Sequence, residues 1–274
     1  MSIFSGRSTQ YQGFSASLDA VLTQTEPITL AEMDAVALQD RIDTKYVFGL
    51  SELCSILPQI IDQYRVFEIN EKRISRYRTL YFDTHDFNIY HHHHNGHGSR
   101  YKVRARKYVD SDLSFFEVKY KNNRKRTLKS RIPIPDVVPG ININGQVNAF
   151  VDSHTPFDSD ALEPKLWNDY LRITLVSKHR EERVTLDLNV EFGWDSAYYG
   201  LDGIVIAEVK QPHFSIASDF IQHMRRLGVR PISFSKYTAG VYNLYNHVKT
   251  NNFKSQRRQV SKVMQKESRY ESVY

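Results

Sequence analysis

The residues best suited to chemistry are cations, and they alternate. Arg100–Lys121 reads RYKVRARKYVDSDLSFFEVKYK, two strand-like runs joined by a polar turn at Asp110–Ser111–Asp112. In an extended strand every second side chain shares a face. Arg100, Lys102, Arg104 and Arg106 therefore fall together, opposite Tyr101, Val103 and Ala105. After the turn, Phe115, Glu117, Lys119 and Lys121 share a face, opposite Phe116, Val118 and Tyr120. Like charges side by side in a sheet repel. One such hairpin reads as a solvated basic surface, but the pattern recurs. Lys129 and Arg131 alternate in LKSR, Tyr170 and Arg172 in YLR, and Arg183, Thr185, Asp187, Asn189 and Glu191 in RVTLDLNVE. Glu-x-Lys occurs on two predicted strands, at Glu117/Lys119 and Glu208/Lys210.

This mixture suits phosphoryl transfer. Cations neutralise phosphate oxygens and hold them in line. Arg offers a planar fork and Lys a compact point charge. A few carboxylates can hold Mg²⁺ or Mn²⁺, which prefer oxygen ligands.

The elements that must carry these residues are mostly strands. Thr29–Gln39 is expected to be a helix with Thr29 as N-cap and Glu32 three residues on. Strands are expected at 41–48, 65–69, 74–82, 100–121 as a hairpin, 126–134, 165–177, 183–192 and 204–211, and helices from Ser51 to about Asp62, at 214–227 and at 235–248. That is about nine strands with flanking helices, and long sheets tend to curl or close. The fold class is α+β, with an antiparallel closed barrel that turns its charged faces inward and its apolar faces toward the helices. Residues 1–28 are expected to be a loosely packed arm, 29–250 the barrel domain, 140–164 an insertion, and 251–274 a mobile charged tail.

Composition limits the alternatives. The chain has 274 residues, 41% hydrophobic and 25% charged, with a formal net charge of +6. No window offers the roughly 18 apolar residues that span a bilayer. The N-terminus lacks the apolar core of a secretory signal. The single cysteine, Cys54, excludes an internal disulfide and suits the cytoplasm, and its helical spacing with Leu50, Leu53 and Leu57 reads as core. His91–His94 and His97 sit in an expected Gly-containing loop, and consecutive histidines on irregular backbone cannot all aim at one ion. No Walker loop, Gly-x-Gly-x-x-Gly fingerprint or Gly-x-Ser-x-Gly elbow is present.

The short motifs RIDTKYVF, RTLYFDT, SRYKVRAR, FFEVKYK, LKSRIPI, YLRITL, RVTLDLNV, IAEVK and SFSKY, in this order from Arg41 to Val248, resemble the VTC domain. That is the catalytic domain of polyphosphate polymerases, within the triphosphate tunnel metalloenzymes. The resemblance implies a tunnel barrel, a divalent metal (Mn²⁺ or Mg²⁺), and transfer of the ATP γ-phosphate to inorganic polyphosphate. Motif by motif, it implies that Lys45, Arg104, Arg106, Lys119 and Lys236 serve catalysis. It assigns phosphate binding to Lys102, Lys129, Arg131, Arg172, Arg183 and Lys210. Glu208 is the best metal candidate, and Glu117 a second for the metal or for orienting cations. The related CYTH triphosphatases open with Glu-x-Glu-x-Lys, where this chain has Arg41-Ile42-Asp43-Thr44-Lys45. One carboxylate has become a cation, which favours the polymerase type over a tripolyphosphatase or nucleoside triphosphatase.

The membrane segment and SPX domain that eukaryotic relatives usually carry are not seen in the sequence, so the chain is expected either to be soluble alone or to rely on a separate membrane protein to receive the product, cytoplasmic or peripheral at the inner face of a membrane through that partner. A noncatalytic polyanion-binding module is the third alternative. Nucleic acid is not expected, because RNA wants exposed aromatics beside the cations, whereas Tyr101, Phe116 and Tyr120 fall on the opposite face.

Overall fold

A computed structural model of the chain describes residues 12–35, 41–123, 126–138 and 145–271. In chain order, α1 (Gln12–Gln24) precedes β1 (Pro27–Ile28) and α2 (Leu30–Ala35). β2 (Ile42–Gly49) runs straight into α3 (Leu50–Ile60), followed by β3 (Tyr64–Phe67), β4 (Ser75–Thr84) and α4 (Asn88–His94). The basic hairpin is β5 (Arg100–Tyr108) and β6 (Leu113–Lys121), with β7 (Thr127–Pro133) beside it. Then come α5 (Gln146–His154), the long strands β8 (Leu162–Ser177) and β9 (Arg183–Trp194), β10 (Ala197–Leu201), β11 (Ile204–Gln211), α6 (Asp219–Arg226), α7 (Lys236–Leu244) and α8 (Lys254–Glu271).

The main ladder runs β2-β11-β9-β8-β4-β5-β6-β7 and is antiparallel throughout, with β10 added to β9 and β3 to β8. The short β1–β3 pair is parallel. Among the described residues no ladder bonds join β7 back to β2. The sheet curls nonetheless, since Lys119 of β6 comes within 4.0 Å of Asp43 of β2 across the concave face.

Alternation places the apolar residues outside, under helices. On one wall Tyr46, Phe48, Leu186, Val205 and Ala207 pack against Leu53 and Leu57 of α3 and Phe220 and Met224 of α6. On the other, Leu80, Phe82, Val103, Phe116 and Val118 lie in one cluster with Ile89 and Tyr90 of α4 and Phe150 and Val151 of α5. α7 seats against inner-face residues. Gly240 permits this approach, because a Cβ there would meet Phe192 Cδ1 at 2.8 Å and Leu166 methyls at 3.0 Å. No helix of the described residues is long and apolar enough to cross a membrane.

Several elements depart from the sequence-based expectation. The 251–274 region is not a loose tail over its described part. α8 buries Val260, Gln256 and Glu267, with Val263 and Met264 packed beside them, at helical spacing hidden among charges. Glu267 accepts the Ser51 N–H at 2.9 Å and its hydroxyl at 2.7 Å. Likewise α1 is no loose arm, since Leu18 and Leu22 enter the core beside α3. Residues 1–11 and 272–274 of those two expected segments lie outside the described residues. The N-cap of α3 is Gly49, whose N–H donates to Glu52 at 2.8 Å, and Ser51 sits in the first turn. The histidines are not a loop. His91–His94 form the last turns of α4, where His93 Nε2 meets the Tyr101 carbonyl at 2.9 Å and burial pulls His93 down to about 3. Thr29 caps α2 as expected, with its N–H and hydroxyl donating to Glu32 at 2.9 and 2.7 Å; residues 36–40 of that expected helix are outside the described set. Cys54 is partly buried against the α3 cluster, and burial raises its thiol.

Candidate active site: a cationic lumen with every acid paired

The ladder register brings the alternating cations onto one concave face. Glu208 of β11 stands opposite Lys45 of β2 and Thr185 of β9, and Lys210 opposite Asp43 and Arg183. Arg172 of β8 stands opposite Asp187 of β9 and Ser75 of β4. Tyr81 and Thr79 of β4 pair with Arg104 and Arg106 of β5, and Arg104 and Lys102 pair with Glu117 and Lys119 of β6. Lys119 and Glu117 in turn face Lys129 and Arg131 of β7. Lys236 enters from the first turn of α7, behind the Ser235 N-cap whose side chain accepts from the Thr238 N–H. Nine cations (Lys45, Lys102, Arg104, Arg106, Lys119, Lys129, Arg172, Lys210, Lys236) thus share the face with four carboxylates (Asp43, Glu117, Asp187, Glu208).

Each carboxylate is spoken for. Glu117, 1% exposed, receives Arg104 Nε at 2.7 Å and Nη2 at 2.6 Å, and Lys129 Nζ at 2.5 Å. Burial would raise its pKa, but Arg104, Arg106 and Lys129 outweigh it and hold the carboxylate far below the usual range. Asp187 takes a two-pronged Arg172 at 2.6 and 2.8 Å and also pairs with Lys236; against burial, these cations bring it to about 2. Glu208 pairs with Lys210 at 2.5 Å and Lys45 at 3.2 Å and is held well below the usual range despite burial. Asp43 lies 3.3 Å from Arg41 and 4.0 Å from Lys119.

The surplus cations bear the cost. Burial, followed by the neighbouring Lys119, Lys45 and Arg104 charges, pulls Lys102 well down. Burial also pulls Lys119 and Lys236 to about 8, although Glu208 and Asp187 pull the other way. Lys129 and Lys210 are lowered too, again first by burial. A face in this state gains from any anion that enters it.

A stacked tyrosine pair underlies three of the cations. Tyr77 of β4 and Tyr170 of β8 lie 5.1 Å apart at 14°. The Arg172 guanidinium sits 4.9 and 5.2 Å from their centroids, Arg106 5.6 and 5.9 Å, and Lys236 4.5 Å from Tyr170. Arg106 also donates to Thr79 Oγ1 at 3.2 Å.

Two predicted residues are marginal. Arg183 neighbours Lys210 in the ladder, but its Nη2 donates to the Met33 carbonyl of α2 at 3.3 Å. Arg131 lies over the Phe115 ring at 4.4 Å. Asn189 and Glu191 do not continue the inner face of β9. The β8–β9 register shifts beyond Asp169, Asn189 adopts φ 48°, and the parity flips; Val190 and Phe192 then join the core cluster around α7. Such bulges re-aim a strand. Sequence reasoning missed Asp187 and Asp43 as partners of the cations, and missed Tyr77. Strand parity sets Asp187 on the face of Arg183 and Thr185, but which cations it serves depends on how β8, β9 and α7 meet.

Among the described residues no group of three or more His, Cys, Asp or Glu is arranged to hold a metal. Glu208, 22% exposed at its side chain, could contribute one carboxylate. Glu117, like Glu208, has a cation at each carboxylate oxygen, but it is only 1% exposed.

No curated protein matches the chain. Among solved structures, a candidate adenylate cyclase from Bacillus halodurans is 12% identical, covering 72% of this chain and 95% of its own at a TM-score of 0.47. A candidate adenylyl cyclase from Hippeastrum, described as having a dominant triphosphatase activity, is 11% identical, covering 73% and 96% at a TM-score of 0.48. The PH1819 protein of Pyrococcus horikoshii is 12% identical, covering 74% and 98% at 0.43. The VTC domain family model matches residues 40–245, the span that supplies every inner-face residue described above. The chain belongs to the VTC domain family.

Proposed function

We propose that the protein is a polyphosphate polymerase that transfers the γ-phosphate of ATP to the end of an inorganic polyphosphate chain. The observation that carries this reading is the charge arrangement: a surplus of inner-face cations, and a cationic partner for each of Asp43, Glu117, Asp187 and Glu208. Hydrolysis would be helped by a carboxylate able to take a proton from water. An acceptor phosphate is already an anion and needs no base, only partners that offset its charge. Its terminal oxygen attacks the γ-phosphorus, the bond from that phosphorus to the β–γ bridging oxygen breaks, and ADP leaves while the acceptor lengthens by one unit. The reaction then rests on positioning and electrostatics.

Roles follow from position. Arg104 and Arg106 grip phosphate from β5, Arg172 from β8, and Lys45, Lys119 and Lys210 from the wall around Glu208. Lys102 and Lys129 extend the path, and Lys236 serves the transferring phosphate. Glu117 and Asp187 orient their cations. Glu208 is the residue that would hold Mn²⁺ or Mg²⁺, and the ion would supply neutralisation of phosphate charge. On this reading the chain works in the cytoplasm on ATP and polyphosphate and passes product to a separate membrane protein. The test is polyphosphate synthesis by Arg104→Ala and Glu208→Gln. Loss in both, with fold retained by circular dichroism, supports the reading, and full synthesis by either counts against it.

A further inference from the structure

α8 carries a second basic feature outside the lumen. Its 18 residues contain Lys254, Arg257, Arg258, Lys262, Lys266 and Arg269. Its one carboxylate with a described side chain, Glu267, is buried against α3. Lys254, Arg258 and Lys262 are exposed and recur every fourth residue, so they line up on one face about 6 Å apart. Among the described residues none of the three is hydrogen-bonded or ion-paired through its side chain. Like charges at this spacing destabilise a helix, so the row is held by burial of Val260 and Gln256 beneath it. Lys266, one turn on, continues the row and pairs with Glu52 at 2.7 Å.

The composition of this face narrows its partner. The apolar residues of α8, Val260, Val263 and Met264, belong to the core cluster, which leaves the outer face of Lys, Arg, Ser and Gln with nothing to insert into a bilayer. No described aromatic side chain lies on it to stack a base. What remains is recognition of a linear polyanion by charge alone. α8 packs outside β2 and β11, the strands that carry Lys45, Glu208 and Lys210, so this row lies one wall away from the lumen. We propose that the Lys254–Arg258–Lys262 row is an exterior site for long-chain inorganic polyphosphate, separate from the lumen. This rests on the polymerase reading for its choice of polyanion, and its test does not depend on catalysis.

The experiment uses the full chain and preformed polyphosphate. Binding of tripolyphosphate and of labelled polyphosphate of about 60 units is measured across salt concentrations for wild type, Lys254→Gln/Arg258→Gln/Lys262→Gln, and Arg104→Ala. Removing three exposed cations should weaken long-chain binding by about tenfold or more at low salt and flatten its salt dependence by about two units of log–log slope. Tripolyphosphate affinity should stay unchanged. Arg104→Ala should do the reverse, losing tripolyphosphate while keeping long-chain binding at the helix. The proposal is overturned if the triple variant binds long chains like wild type, if wild type does not bind them, or if single-stranded RNA or vesicles containing phosphatidylserine displace the polyphosphate at equal phosphate concentration. An absence of ATP-dependent synthesis would refute the polymerase reading and leave this binding result standing by itself.

Discussion

Replacing Glu117 by Gln should destabilise the empty protein and make it more dependent on triphosphate. The side chain is 1% exposed and sits between Arg104, at 2.6 Å, and Lys129, at 2.5 Å. Gln keeps the shape and removes the charge, so two cations face one another without their shared anion. Breaking a fully buried pair costs about 3–5 kcal/mol. Here the side chain of Lys129 keeps 37% exposure and that of Arg104 14%, so water recovers part of that and the expected loss is about 2–3 kcal/mol. The pH dependence has a definite sign. The native Glu117 carboxylate is held far below its ordinary value of 4.5, so its contribution is complete above that value and fades as the pH falls below it. The gap between wild type and variant should therefore be full at pH 7 and shrink in acid. Tripolyphosphate supplies the missing anion. At a hundred times its Kd any ligand stabilises by about 2.7 kcal/mol, and the variant should bind it more tightly and recover more than wild type does. Urea unfolding with and without tripolyphosphate reads all three effects. A loss below about 0.5 kcal/mol, or equal stabilisation of both proteins by the ligand, would refute the reasoning.

Tyr77→Leu should weaken triphosphate binding by about 1–2 kcal/mol, since it removes a ring beneath both Arg172 and Arg106; Tyr77→Phe should keep most of it, and calorimetry separates the two. Because burial brings Lys236 and Lys119 to about 8, they lose charge as the pH rises from 8 toward 10. Phosphate should restore it, so tripolyphosphate affinity should fall over that range and binding should take up protons, measurable by calorimetry in buffers of different ionisation enthalpy. The same depressed values mean that the empty protein gains stability from these lysines as the pH rises through 8 toward 10.5, the same direction as the Glu117 effect in a higher pH window. Glu267→Ala removes two hydrogen bonds to Ser51 and should cost about 2 kcal/mol in thermal or urea unfolding, with tripolyphosphate affinity unchanged.

The strands and their inner faces were legible because a period of two survives in Arg100–Arg106, Glu117–Lys121 and Glu208–Lys210, where side-chain direction depends only on parity. Parity failed at Asn189, where a bulge with φ 48° inserts a residue and no local signal announces it. The helix α8 was hidden because its apolar spacing lies under a run of Lys and Arg, so burial of Val260 and Glu267 is a tertiary effect. The histidine helix was misread for the opposite reason, since Asn95 and Gly96 signal a loop but act as the stop of α4. Partner identities were beyond local reading. That Asp187 serves both Arg172 and Lys236 requires β8, β9 and α7 to meet. The tyrosine pair likewise looks like ordinary core until the register sets Tyr77 opposite Tyr170.

The most direct test of the account is to incubate the purified protein with ATP and Mn²⁺, with and without a short polyphosphate primer, and resolve products by gel and phosphorus NMR. The account predicts a ladder of polyphosphate chains that lengthens with time and forms in step with ADP. Free phosphate accumulating with ADP and no chains longer than the primer would contradict it.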